Sequence, residues 1–346
     1  MNDKKRIYVW DNIKFILILL VVVGHFCEKY LKQSGFMKDS VLFIYTFHMP
    51  LFIFISGLFS KKLVNGRTLN KEKIVPYLLL FVFMKTIFYL FRLLIGVEGV
   101  RFTLFSENGV PWFVLSLFCW YVITYYIKDY SRSFCLTAAI LLGCMVGYDV
   151  TLKDSFAVAR TIVFYPFFLV GYYCDSKRIL KMVNSKQAKI AAVVVLGGLI
   201  FLCYFKSKGI YWVMPLLSGR NPYTKLGEMQ RFGGLIRFAY YGVVAIISLS
   251  IIALVPKRKL WISKLGQKTL PVYVFHYLFI FAFVRFNWDD AIMRMFPNRW
   301  ELIFFAIGVV VTLVTTLSIF EWPLNKIMKI KKQPIILEKQ KKLECA

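Results

Sequence analysis

Acidic charge is scarce in this chain: 18 Asp+Glu stand against 45 Lys+Arg in 346 residues, and charged residues of both signs make up only 18%. A soluble domain carries about 25% charged and about 45–50% apolar residues, whereas 59% of this chain is hydrophobic and 18% aromatic. A chain of this length in water must cover itself with polar groups, so the excess cannot be hidden in one soluble core. Disorder, collagen-like repeats and a secreted disulfide scaffold are excluded by the same numbers. Internal repeats, a soluble domain and low-complexity linkers are lacking as well. So is metal-ligand spacing: the seven cysteines are odd in number, and Cys119, Cys135, Cys144, Cys174 and Cys203 fall inside apolar runs as small hydrophobes. No metal is expected. The first apolar stretch, Phe15 to Phe26, lacks a small-residue cleavage site, so no cleavable signal peptide is expected. A net charge of +27 would suggest nucleic acid in a soluble protein. Here the basic residues sit in short clusters between apolar runs without a recognition motif, and no nucleic-acid partner is expected.

What is present is a series of apolar runs, each near the roughly 20 residues that cross a hydrocarbon core of about 30 Å. They lie at about 11–30, 41–60, 75–95, 111–127, 133–148, 157–174, 188–205, 236–255, 268–285 and 302–322. The fold class read from them is an all-α integral membrane protein with about ten transmembrane helices. It forms a single transmembrane domain over residues 1–346, with spans from 11 to 322 and a basic tail over 323–346. Asp149, Lys153 and Asp154 mark a short turn between the fifth and sixth runs. With span ends counted in their loops, 27 Lys+Arg fall on the side of the termini and 15 on the other, which makes both termini cytoplasmic. The basic tail reads as a topology signal beside anionic membrane lipid. On the outer side the long connection is 206–237, where Tyr211, Trp212 and Tyr223 mix with Arg220, Lys225 and Arg231. Such residues suit a sugar-bearing or anionic ligand, and they equally suit membrane anchoring.

Ionisable side chains inside a span are functional candidates by default, and all three histidines of the chain lie inside expected spans. In the first, WDNIKFILILLVVVGHFCEKY, Lys14 and His25 are 11 positions apart. At 100° per residue they project within about 20° of each other, some 16 Å apart along the axis. Asp11 falls about 40° to one side of His25 and Glu28 about 60° to the other, forming one polar stripe. Lys14 near the surface also fits a snorkelling lysine. The second span runs back inward through VLFIYTFHMPLFIFISGLFSKK, which puts His48 within roughly 3 Å of the depth of His25. Two imidazoles at one depth on neighbouring helices can share a site, one accepting a hydroxyl proton while another group steadies the developing charge. Pro50 offers a kink, and Ser56-Gly57 a close-packing surface. His276, about 8 residues from the inner edge of the ninth span, is shallower and reads either as a supporting group or as a direct participant. Arg160 stands at the outer end of the sixth span, within reach of the outer loop. Lys85 and Arg92 share a face of the third span, and Glu321 is placed to pair with one of them or with Lys14.

The stretches DNIKFILILLVVVGH, FHMPLFIFISGLF, PWFVLSLF, YPFFLVGYY and LGQKTLPVYVFH occur in this order over residues 11–276. In that combination the chain resembles the membrane acyltransferase-3 family, and within it the fucose 4-O-acetylase-related sugar O-acetyltransferases, from about residue 6 to 323. The resemblance implies a multi-pass O-acyltransferase of the bacterial plasma (inner) membrane. It would move an acyl group, acetyl foremost, from cytoplasmic acetyl-CoA or another acyl-CoA to a hydroxyl of a cell-surface or lipid-linked glycan. The family's signature is a basic residue, usually Arg, with ten positions between it and a histidine. Lys14 and His25 occupy those places, Lys keeping the charge without the planar fork. By the resemblance, Lys14 meets the CoA phosphates or thioester, and His25 is the catalytic base or a transient acyl carrier; helix geometry sets Asp11 beside Lys14 and His48 in the site of His25. Acceptor contacts are expected from Arg160, Trp112, Glu28 and Trp212, with His276, Lys85 and Arg92 behind them. The competing reading is a proton-coupled secondary transporter or glycan flippase. It calls for inverted repeats and paired Gly/Pro-broken helices, which the sequence lacks.

Overall fold

The computed structural model describes residues 6–106, 109–152 and 155–329, so Lys153, Asp154 and the tail beyond residue 329 lie outside the described residues. Those described form helices and an isolated bridge between Ser106 and Ser155, with no strand among them. The principal helices are α1 Tyr8–Cys27, α2 Gly35–Leu58, α3 Lys71–Leu94, α4 Trp112–Ile127, α5 Arg132–Met145 and α6 Val158–Tyr173. They continue with α7 Lys186–Phe205, α8 Gly233–Leu254, α9 Thr269–Arg285, α10 Trp300–Thr315 and α11 Ser318–Met328. Serine side chains start two of these helices: Ser34 caps Met37 N–H at 3.2 Å and Ser185 caps Ala188 N–H at 3.0 Å.

Each expected apolar run is helical, yet length separates them. Five helices are long and apolar enough to cross a membrane, up to seven if each bent pair is one span, while α4, α5 with its 3₁₀ extension, and α6 are shorter. The last expected run, 302–322, is not one straight helix but α10 and α11 meeting at 56°. Thr312, Thr315 and Thr316 turn their hydroxyls onto the Gly308, Val311 and Leu313 carbonyls there, a local competitor of the helical ladder that bends helices.

Burial orders the bundle. The apolar stretches of α1 and α2 are 72% and 67% buried, whereas that of α7 is 11% buried and shows Val193, Val194, Phe201 and Phe205 outward. A helix apolar on its exposed face requires an apolar surrounding, so α1 and α2 form the centre and α7 the rim. α1 packs on α2, α9 and α10. In its second turn Asn12 donates to the Pro256 and Arg258 carbonyls at 2.8 and 3.1 Å and accepts from the Ser263 hydroxyl at 2.5 Å. That end of α1 is therefore anchored by a satisfied polar cluster.

The most extensive helix contact joins α2 and α6, and glycine permits it. A Cβ on Gly57 would lie 2.1 Å from the Phe168 carbonyl oxygen, and one on Gly171 would lie 2.1 Å from that of Phe54. Because the obstacle on each side is backbone, neither can yield without separating the helices. Gly57→Ala is expected to lower the thermal midpoint of the purified protein or abolish its folded yield, an overpacking penalty of about 1–3 kcal/mol or more. Gly197→Ala on α7, where nothing lies within 4 Å, should leave both unchanged; equal behaviour of the two variants in a thermal unfolding assay would refute the close-packing account.

Candidate active site

Between α1, α2, α3, α4, α6 and α9, and beside the 206–232 connection, lies a cavity of about 510 Å³. Of the residues singled out in the sequence, His25, Glu28, His48, Arg92, Trp112, Arg160 and Arg220 line it. Local helix geometry explains how. His25 occupies the last turn of α1 and Glu28 opens the 3₁₀ turn Glu28–Tyr30 that follows, and residues three apart are neighbours on a helical surface. The Glu28 Oε1 is 2.9 Å from His25 Nδ1, and the Tyr45 hydroxyl donates to Oε2 at 2.5 Å. A carboxylate only accepts, so this contact puts the imidazole hydrogen on Nδ1 and leaves Nε2 with the lone pair. His25 and Glu28 keep 22% and 28% of their side-chain surface, enough for access from the cavity.

Tyr45 and His48 repeat the three-residue spacing on α2, with ring centroids 4.9 Å apart. His48 Nδ1 donates to the Ile44 carbonyl at 2.7 Å, which selects the same tautomer. Two residues on, Pro50 has no N–H for the Thr46 carbonyl, and the Tyr240 hydroxyl of α8 supplies the missing donor at 3.1 Å. The helix thus continues past the proline.

His276 does not line the cavity; it lies behind His25, fully buried, with the two rings stacked at 5.4 Å and 23°. Its Nδ1 donates to the Val272 carbonyl at 2.9 Å. Tyr277 stands edge-on to His25 at 5.4 Å, so the catalytic candidate is walled by rings from α2 and α9. Arg160 is buried over the Trp112 indole at 5.1 Å and donates to the Gly109 carbonyl at 3.3 Å. Lys85 lines an adjoining hollow and donates to the Ser106 carbonyl at 2.9 Å.

The remaining expected residues lie elsewhere. Lys14 and Asp11 are at the opposite end of α1, where Asp11 accepts from Lys14 at 2.9 Å and from Arg6 at 2.6 Å. Trp212 is 44% exposed and outside the cavity lining. Glu321 pairs with Lys268 at 2.9 Å rather than with Lys14, Lys85 or Arg92.

The 206–232 connection reaches the cavity through another part, Ser218, Arg220 and Asn221. Gly219 between them has φ +64°, and a Cβ there would meet the Phe164 ring at 2.6 Å, so only glycine makes this turn. Asn221 Nδ2 closes it onto the Pro215 carbonyl and Ser218 Oγ at 3.2 and 3.1 Å. Tyr45, Lys29, Tyr273 and Tyr277 also belong to the lining and were not singled out in the sequence. The spacing of Tyr45 from His48 is a readable signal; the lining from α9 and Ser218 and Asn221 beside Arg220 is not, because it comes from far along the chain. Among the described residues, no group of three His, Cys, Asp or Glu could hold a metal ion.

Residues 7–320 match the acyltransferase domain family. The chain belongs to that acyltransferase family. The match covers every helix that builds the cavity, so the His25–Glu28 pair lies inside the family domain. The nodulation protein NolL of Mesorhizobium japonicum is 24% identical to this acyltransferase-family chain over 176 residues, 47% of this chain and 46% of the relative. The chain therefore spans about half the length of the curated relative it matches. No solved structure matches it.

Proposed function

We propose that the protein is a membrane O-acyltransferase that moves an acyl group, acetyl foremost, from cytoplasmic acyl-CoA to a hydroxyl of a cell-surface or lipid-linked glycan. The observation that carries this reading is the Glu28–His25 pair, with Oε1 2.9 Å from Nδ1, which leaves Nε2 turned away from the carboxylate in a cavity large enough for a sugar. A thioester needs no activation, but the attacking hydroxyl must lose its proton, and imidazole is the side chain suited to take it near neutrality. In this mechanism the hydroxyl proton passes to His25 Nε2 as the oxygen bonds to the thioester carbonyl carbon. The C–S bond then breaks, and the leaving thiolate takes the proton from the imidazolium, giving ester and free CoA thiol. Glu28 holds the ring and stabilises the imidazolium. Arg160 and Arg220 stand at the cavity wall, where positive charge favours the tetrahedral oxyanion. Trp112, under Arg160, presents an aromatic face to the sugar.

The membrane arrangement belongs to the same proposal: ten spans, both termini cytoplasmic, in the bacterial plasma membrane, and kinship with the fucose 4-O-acetylase branch. In that orientation Lys14 and Asp11 face the donor side, and His25 lies about 16 Å deeper on the same face of α1. Incubation of the purified protein with acyl-labelled acetyl-CoA and a panel of glycans is the direct test. Label appearing in an ester-linked glycan together with free CoA thiol supports the proposal, whereas glycan or proton movement in proteoliposomes without acyl transfer would support the transporter reading instead. Lys14→Ala is expected to raise the KM for acyl-CoA about tenfold or more, the loss of one charge-assisted contact, with Lys14→Arg close to wild type. An unchanged KM in Lys14→Ala would make the lysine a partner of Asp11 and nothing more.

A further inference from the structure

Beside the reaction cavity lies a second hollow of about 250 Å³. The two have Arg92, Gly109, Val110, Tyr277 and Phe281 in common, so the smaller one is an annex of the larger. Three cationic side chains line the annex, Lys85 and Arg92 from one face of α3 and Arg101 from the chain after it, and none of its described lining residues is acidic. Arg92 sits over the Phe281 ring at 5.5 Å, a contact that uses none of its N–H donors. Two guanidinium forks on one small hollow match the planar, bidentate demand of a phosphate oxygen pair.

Ring spacings set the distance to the chemistry. His25 and Tyr277 are 5.4 Å apart by centroid and Tyr277 and Phe281 4.8 Å, with Arg92 over the latter. Two such aromatic steps put the Phe281 wall of the annex within about 10 Å of His25, the reach of a short saccharide. The annex is also at the His25 end of α1, away from Lys14 and Asp11. Under the acyltransferase reading, on which this inference rests, the donor's phosphates stay at that other end. We infer that the annex takes a phosphate or diphosphate group carried by the glycan acceptor, held by Arg92 and Arg101, while the sugar hydroxyl reaches His25. Beyond it, α3 exposes Leu90, Leu93 and Leu94, so a phosphate borne by a lipid and one borne by a soluble sugar can both reach the annex.

Calorimetric titration of the full-length protein in detergent tests this without knowledge of the sugar. Inorganic pyrophosphate should bind saturably, and Arg101→Gln, an exposed change that leaves the helices intact, should weaken it about tenfold or more. Farnesyl diphosphate binding much more tightly than pyrophosphate would assign a lipid-borne group, and equal affinities a soluble sugar phosphate; either supports the annex. The affinity for coenzyme A should be the same in wild type and Arg101→Gln. A parallel loss of coenzyme A affinity would give these cations to the donor and overturn the inference, as would pyrophosphate binding that is absent or indifferent to Arg101→Gln. His25→Ala should bind pyrophosphate as wild type does; wild-type protein that binds it yet transfers no acyl group to any glycan of the panel would refute the enzymatic reading while the annex stands.

Discussion

Replacing His25 by alanine is expected to lower acyl transfer by about 10²–10⁴, the usual contribution of a positioned general base, with yield and elution profile of the purified protein unchanged. Stability should survive because the ring is partly exposed to the cavity and its bond to Glu28 lies at the cavity wall. The loss should appear in kcat at saturating acyl-CoA, since in the proposed mechanism the histidine acts on the attacking hydroxyl and not on the donor's binding groups. A variant retaining a tenth of wild-type transfer, measured as labelled ester formed per folded protein, would remove His25 from the chemistry.

The second large effect concerns Glu28. Glu28→Gln keeps the size of the side chain but removes the negative charge that accepts from His25 Nδ1 and from the Tyr45 hydroxyl. The amide can turn its NH₂ toward the ring, which favours the opposite tautomer and takes the lone pair from Nε2. Transfer should fall by roughly 10² or more, with little change in the KM for acyl-CoA. In the His25→Ala background the same substitution should add almost nothing, because groups acting as one unit are not additive. Full multiplicative losses in the double variant, or a Glu28→Gln effect confined to the acceptor KM, would make Glu28 a sugar contact and not the carboxylate that orients the base.

Part of this candidate site is legible in the sequence. Periodicity puts Lys14, His25, Asp11 and Glu28 on one stripe, since a helix repeats every 3.6 residues whatever its neighbours are, and of these His25 and Glu28 line the cavity. Depth counting brought His25 and His48 to one level, and both line the cavity. The same counting made His276 shallow, yet its ring is stacked on that of His25, because the placement of α9 against α1 depends on packing and bends that residue counts do not contain. Within the outer connection the sequence offers both Trp212 and Arg220, and the turn at Gly219 delivers Arg220, with Asn221 beside it, to the cavity while Trp212 stays outside.

By itself, then, the sequence determined the apolar surroundings of the protein, the positions of its helices and the polar face of α1. These follow from composition and from backbone geometry, both local properties. Only the tertiary structure decided which helix each face meets. It set Glu28 and Tyr45 around His25, stacked an imidazole 251 residues away behind it and joined the annex of α3 to the cavity. A helix offers several faces of similar hydrophobicity, and the choice among them is made by close approach at a few positions such as Gly57 and Gly171, where backbone meets backbone across the whole bundle.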